Sequence, residues 1–398
     1  MSVMLSAQKL SEQNSTTPAL YSTGLPPLRP WMRRDLENDS SWIHHLTQTE
    51  IQDLESSLRV VLATGKTEFE LSAADFPLTP AIEKLLTRIM DGTQSNYGVY
   101  LVRGFPVERW TAEQMRTMYW CMGLRCGVPR PQGKPSHFVS DVRDAGGQYR
   151  GGTGRGYNTN SKLDFHADGS DIVGLMCLQV AKSGGSSLIA SSYAAFNALQ
   201  KLRPDLAEVL QQPFYFGRQG EHAAEEPPYY LASIVGFKNG LFACRHIRNH
   251  INGGQLTFPE IPRLTAIQNE AMDMFDALLG REDLCYHMYL QKGDFQFLNN
   301  HVNLHARTEY EDFEEPEKRR HLLRLWLSLP QAPALPDNWR DTYKDVEQGA
   351  LRGGFRGANI TPEIRAFEKR LSAEHGIACR VYADYEAMIK QQQGQQSQ

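Results

Sequence analysis

Residues that could do chemistry together stand first in Leu163-Asp-Phe-His-Ala-Asp-Gly169, where His166 and Asp168 are two positions apart. On extended backbone, side chains two apart share a face, so an imidazole and a carboxylate would lie side by side. They are two of the three ligands of a 2-His-1-carboxylate set, which suits non-haem iron(II). His-x-Asp alone arises by chance; it needs a third ligand and a reason for iron.

A second stretch runs from Gly293 to Thr308. A Gly-Asp turn opens an alternating strand through Phe295 and Phe297, then come Asn299-Asn300 and a polar cluster around His301 and His305. A third, Arg319-Arg-His-Leu-Leu-Arg-Leu-Trp-Leu327, puts Arg320, Leu322 and Arg324 on one strand face. A guanidinium on an apolar strand is costly unless it meets an anion, which a cross-sheet salt bridge or a bound carboxylate would satisfy equally. The remaining histidines, among them His44, His45, His137, His222, His246, His250, His287 and His375, show no ligand spacing and read as surface or internally bonded groups.

The elements that must position these residues follow from periodicity and caps. Thr47 or Thr49 caps a helix with Ile51, Leu54, Leu58 and Val61 on one face; Thr79-Pro80 and Thr111 open two more. Gly98 to Gly104 reads as a buried strand, as do 172–180, 182–190, 286–298 and 321–329, with further strands over 214–216, 229–235 and 241–246. Helices are expected over 193–210, 264–279 and 362–375. Methionines at 115, 118 and 122 are core filler at helical spacing. Gly151-Gly-Thr-Gly-Arg-Gly156 lacks the Lys-Ser/Thr of a P-loop, which argues against nucleotide binding and leaves a mobile loop over an active site. The centre is strand-rich, with helices flanking it.

Bulk properties narrow the class. A net charge of −4 gives no general attraction to nucleic acid or an anionic membrane. No 18-residue apolar run is present, and the N-terminus has no secretory h-region. The six cysteines form no C-x-x-C pair and read as buried thiols in a reducing compartment, hence cytoplasmic. Residues 1–28 read as a polar flexible tail, 29–390 as one catalytic domain with its core over about 95–330, and 391–398 as a disordered Gln-rich end.

The order His-x-Asp, then Gly184-Gly-x-Ser187, then Gly-Asp and Asn-Asn-x-x-x-x-His-x-Arg-Thr, then Arg-Arg-His-Leu-Leu-Arg resembles the iron(II)/2-oxoglutarate-dependent dioxygenases of the TauD/TfdA, clavaminate synthase-like family. The strand Tyr100 to Phe105, with its Arg-Gly, fits as well. The resemblance implies an α+β fold with a mainly β core, a double-stranded β-helix (jelly roll) flanked by helices. It implies His166, Asp168 and His305 as iron ligands. His305 is preferred to His301 because the family's Asn precedes the ligand by about five residues, as Asn300 does here. It implies Arg320 and Ser187 on the distal carboxylate of 2-oxoglutarate, Arg324 as a further anion contact to cosubstrate or substrate, and Arg307 as a support.

The implied cofactors are Fe(II), 2-oxoglutarate and O2, giving succinate and CO2 as hydrogen is taken from the substrate. Hydroxylation is the default outcome, with desaturation or ring closure beside it; family halogenases lack the carboxylate ligand, and Asp168 is present. Arg155, Tyr157, Asn158 and Asn160 supply donors for a carboxylate, which points to a small-molecule substrate, an amino acid or small organic acid. The flanking helices and the segment after 330 could cover the pocket or form a homodimer contact. Two competitors remain: a non-catalytic 2-oxoglutarate-binding relative, and a zinc hydrolase, in which the Arg320–Ser187 pair would have no purpose.

Overall fold

The computed structural model describes residues 20–387, apart from Thr153, Ala358, Asp384 and Tyr385. Two sheets organise it. The larger runs in the order Ile43–His45, Val99–Arg103, Phe295–Asn299, Ile172–Gln179, His321–Ser328 and Val128–Pro129, with Val139–Val142 also paired to His321–Ser328. The smaller runs Cys285–Met288, Ser187–Ser191, Asn303–Arg307 and Leu163–His166, with every neighbour antiparallel. With the helices around them, the sheets make an α+β fold.

The strand Ile172–Gln179 is apolar along its length because both its faces are covered. On one side Leu175, Leu298, Leu322 and Trp326 share a core with Ile189 and Met288 of the smaller sheet. On the other, Met176, Phe295, Phe297, Leu323 and Leu325 meet the helices Gln48–Ala63, Pro80–Gln94 and Ala112–Cys126. These helices begin where expected: the Thr47, Thr79 and Thr111 hydroxyls accept from the amides of Glu50, Ile82 and Gln114.

Several elements differ from expectation. The helix expected over 193–210 divides into Ser192–Leu202 and Pro204–Val209, because Pro204 can start a helix and cannot continue one. Arg248–Thr257 is helical although its Gly253-Gly254 pair lowers helix propensity. A Cβ on Gly254 would lie 3.1 Å from the Gly217 nitrogen, so the glycine permits a close helix–strand approach. Asn303–Arg307 is a strand whose polar side chains all point into buried surroundings. The end of the expected tail, residues 20–28, is packed: Leu20 is buried and the Tyr21 hydroxyl donates to the Cys126 carbonyl at 3.1 Å. The rest of that tail, to residue 19, and the Gln-rich end lie outside the described residues.

The segment after 330 is tied down by ion pairs: Arg130–Glu368 at 2.5 Å, Arg352–Asp171 at 2.7 Å and Arg356–Glu226 at 3.0 Å, all buried. Gly353 lies at φ +71° with its backbone on Gly169; a Cβ there would sit 2.2 Å from the Gly169 carbonyl oxygen. That close approach carries Phe355 to the cavity beside Asp168. Removing one partner of a buried pair leaves the other charge desolvated, so Glu368→Ala should lower unfolding free energy by about 3–5 kcal/mol. Urea denaturation checks this; an unchanged midpoint would contradict it.

Candidate active site

The strand Leu163–His166 pairs antiparallel with Asn303–Arg307, and His305 stands directly opposite His166. Their ring centroids are 4.3 Å apart. Asp168 does not share that strand, as its two-residue spacing suggested. The strand ends at His166, and Asp168 lies in the turn leading to the larger sheet. The turn is held by its amides: Ala167 donates to the His246 carbonyl at 2.9 Å, and Asp168 donates to Asn300 Oδ1 at 3.3 Å. Thus ligand atoms of His166, Asp168 and His305 all fall within 4.8 Å of one another.

The imidazole orientations suit a cation. His166 Nδ1 donates to the Asp164 carbonyl at 2.9 Å, which leaves Nε2 facing the site. His305 Nε2 lies 3.6 Å from Asp168 Oδ2. Burial pushes the pKa of His305 down to about 3, with His166 adding to the shift; burial also lowers His166. Both rings are therefore neutral donors at physiological pH. Burial raises the Asp168 carboxyl, but its neighbours, the Arg324 guanidinium first among them, outweigh it and hold the group below its ordinary value. Two neutral nitrogens and one carboxylate form the set that non-haem iron(II) takes.

Arg324 Nη1 donates to Asp168 Oδ1 at 3.1 Å, and its Nε donates to Gln132 Oε1 at 2.8 Å. Gln132 in turn donates from Nε2 to the Arg324 carbonyl at 3.1 Å. Further into the cavity, Arg320 is buried across the ring of Tyr310 at 5.1 Å, and the Ser187 hydroxyl donates to Gln296 Oε1 at 2.9 Å. Arg320 Nη1, Arg324 Nη2, Gln296 Nε2 and Arg307 Nε and Nη1 are buried donors with no partner among the described residues. Such a concentration of free donors matches a ligand rich in anionic oxygens, as a dicarboxylate is. The residues present therefore fit both iron and 2-oxoglutarate.

The family described as taurine catabolism dioxygenase TauD, TfdA family matches residues 63–326. The chain belongs to the TauD/TfdA family. FR-33289 synthase of Streptomyces rubellomurinus is 31% identical over 314 residues, 77% of this chain and 91% of that protein. A taurine hydroxylase-like protein of Stachybotrys chartarum is 27% identical, over 74% of this chain and 77% of its own. Among solved structures, an asparagine oxygenase shares the fold at TM-score 0.56 and 16% identity, covering 78% of this chain and 100% of its own. The non-haem iron oxygenase OrfP, solved with iron and α-ketoglutaric acid, does so at TM-score 0.51 and 15% identity, covering 72% and 93%. This TauD-family chain is an iron(II)/2-oxoglutarate-dependent dioxygenase.

One cavity, with about 970 Å³ of empty space including its mouth, brings together His166, Asp168, His305, Ser187, Arg320 and Arg324. Arg155 and Tyr157 also line it. Asn158 and Asn160 do not. The Asn158 carbonyl accepts from the Ala145 and Gly147 amides, and exposed Asn160 accepts from the Tyr310 amide, so both shape the loop. His301 is not a rival ligand: its Nε2 meets Asp171 at 2.9 Å, behind the turn. Sequence reasoning missed His250, Glu221 and Phe355. Arg155 donates to His250 Nε2 at 2.9 Å and lies 3.3 Å from Glu221, while Phe355 packs on Trp326. These residues come from elements far apart in the chain, and no local pattern marks them.

His166→Ala should abolish tight iron(II) binding while the far-ultraviolet dichroism stays native. Arg324→Gln, which loosens the carboxylate's support, should weaken iron about 10–100-fold. Anaerobic equilibrium dialysis against iron(II) reads both; wild-type affinity in either variant would remove that residue from its role.

Proposed function

We propose that this oxygenase removes hydrogen from a small polar metabolite that carries a carboxylate, an amino acid or small organic acid, with hydroxylation as the default outcome. The observation that carries this is the charge of the cavity. Arg155, Arg307, Arg320 and Arg324 line it with Asp168 as the carboxylate among its lining residues, while Arg248, also at its wall, is paired with Asp273 and Asp276. One dicarboxylate cosubstrate would engage Arg320 and part of its neighbours, leaving Arg155 for the substrate. Arg155 is backed by Glu221 and by neutral His250, whose pKa burial and Arg155 push well down. Its guanidinium lies over Phe355 at 5.2 Å, so both position and orientation are set before binding. The asparagine oxygenase was solved with 3-hydroxyasparagine and succinate, and OrfP with L-Arg; these amino-acid ligands agree with the reading.

In this reading His166, Asp168 and His305 hold the iron, and Arg320 with Ser187 holds the distal carboxylate of 2-oxoglutarate. When bound, iron and cosubstrate supply the oxidising power, with release of succinate and CO2. The chain's own part is placement. Arg324 aims Asp168, Arg155 anchors the substrate, and Phe165, Leu175, Trp326 and Phe355 make an apolar wall that excludes water from the reacting carbon. Asp168 in the carboxylate position favours oxygen transfer over halogenation. The two sheets sharing one core are read as a double-stranded β-helix carrying helices outside. The unpaired cysteines, all buried except half-buried Cys379, fit a reducing, cytoplasmic setting.

A screen of L-amino acids and small organic acids for 2-oxoglutarate-coupled succinate formation, with product masses, tests this. Gain of one oxygen means hydroxylation; loss of two hydrogens means desaturation or ring closure. For the accepted substrate, Arg155→Ala should raise its KM at least tenfold with the KM for 2-oxoglutarate unchanged. Turnover only of compounds that lack a carboxylate, or an unaltered KM, would contradict the proposal.

A further inference from the structure

Arg245 lies behind the metal site and takes no part in it. It follows the strand Leu241–Cys244 and precedes His246, whose carbonyl binds the Ala167 amide between two of the proposed ligands. Its side chain is 0% exposed. Its Nε, Nη1 and Nη2 have no hydrogen-bond partner among the described residues. Three rings surround the guanidinium, Phe216 at 5.0 Å, Tyr230 at 5.1 Å and Tyr343 at 5.9 Å. The hydroxyls of Tyr230 and Tyr343 are also buried without a partner, as are His301 Nδ1 and Arg352 Nη2. The His301 ring lies 5.7 Å from that of Tyr343, tilted by 57°, and both His301 and Arg352 converge on Asp171 Oδ1.

The Arg245 guanidinium is a permanent cation whose N–H groups are unpaired among the described residues, with only neutral hydroxyls and rings around it. A guanidinium keeps its proton at any working pH, so it cannot relieve burial by neutralising. Ring faces attract it but satisfy few of its N–H groups. Neighbouring carboxylates are engaged elsewhere: Asp171 with Arg352 and His301, and Glu226 with Arg356 and Arg218. A buried cation in this state calls for an anion.

We propose that Arg245, Tyr230 and Tyr343 form a binding site for one small inorganic anion of halide size, chloride in ordinary buffers. Three rings face the guanidinium, and Arg245, Tyr230 and Tyr343 are all buried, an enclosure that favours a monatomic ion over phosphate or a carboxylate ligand. The bound ion would join the strand Tyr229–Ser233, the helix ending at Tyr343 and the stretch leading to Ile247, which bridges His166. Occupancy would thus stiffen the back of the metal-ligand turn without touching substrate.

The full chain, exchanged into gluconate buffer, is titrated with chloride or bromide at constant ionic strength while thermal unfolding is followed. Tm should rise by a few degrees and saturate. Tyr343→Phe, which keeps the ring and removes one donor, should weaken the halide midpoint several-fold; Arg245→Met, if it folds, should abolish the response. Crystals grown with bromide should show an anomalous peak in contact with the Arg245 guanidinium. A Tm indifferent to halide, a response unchanged in Tyr343→Phe, or a bromide peak without any Tm response (an adventitious ion only) would each overturn the proposal.

Discussion

The antiparallel register that sets His305 opposite His166 is the constraint on which the site depends. Strand side chains alternate, so a slip of one residue would turn one imidazole away from the other. The same strand, Asn303–Arg307, pairs on its other edge with Ser187–Ser191, which sets Ser187 opposite Arg307. One register therefore places two proposed metal ligands and two groups at the cosubstrate end. The irregularity between His305 and Arg307 lets these jobs be met within five residues. The third proposed ligand, Asp168, lies outside that ladder, on the turn that links the two sheets.

That turn is positioned by charge. Arg324 extends from the larger sheet to Asp168, and Gln132 braces Arg324 from the segment between two strands. The contact helps hold the Asp168 carboxyl below its ordinary value against burial, which raises it. Burial acts oppositely on the imidazoles and keeps them neutral, so one physical effect, working on different groups, prepares the ligand set. The post-330 segment belongs to the same construction. Its glycines press against Gly169, its arginines pair with Asp171 and Glu226, and Phe355 closes the cavity wall.

Much of this was legible in the residues. Threonine caps, a proline at a helix start and glycine-bounded apolar runs are local signals, and they marked the helices and the buried strands of the larger sheet. The order of His166, Asp168, His305 and Arg320 pointed to the family because the spacing between motifs is characteristic even where each motif is weak. What escaped was non-local. The helix Arg248–Thr257 owes its glycines to the approach of Gly217, which no window of sequence contains. Asn303–Arg307 did not look like a strand because its polar residues are buried rather than facing water: Asn303 bonds Trp31 and the Tyr97 and Gly98 carbonyls, and His305 and Arg307 line the cavity. Asn158 and Asn160 were plausible donors by type, but their backbones, not their side chains, carry their main bonds. The Glu221–Arg155–His250 contact joins three separated segments, and only packing reveals it.

The most direct test of the central claim is a crystal structure of the chain grown without oxygen in iron(II) and 2-oxoglutarate. The account predicts metal density coordinated by His166 Nε2, His305 Nε2 and an Asp168 oxygen, with the distal carboxylate of 2-oxoglutarate on Arg320 and Ser187. Iron ligated by His301, His246 or His250 in place of these residues, or 2-oxoglutarate bound away from Arg320, would contradict it.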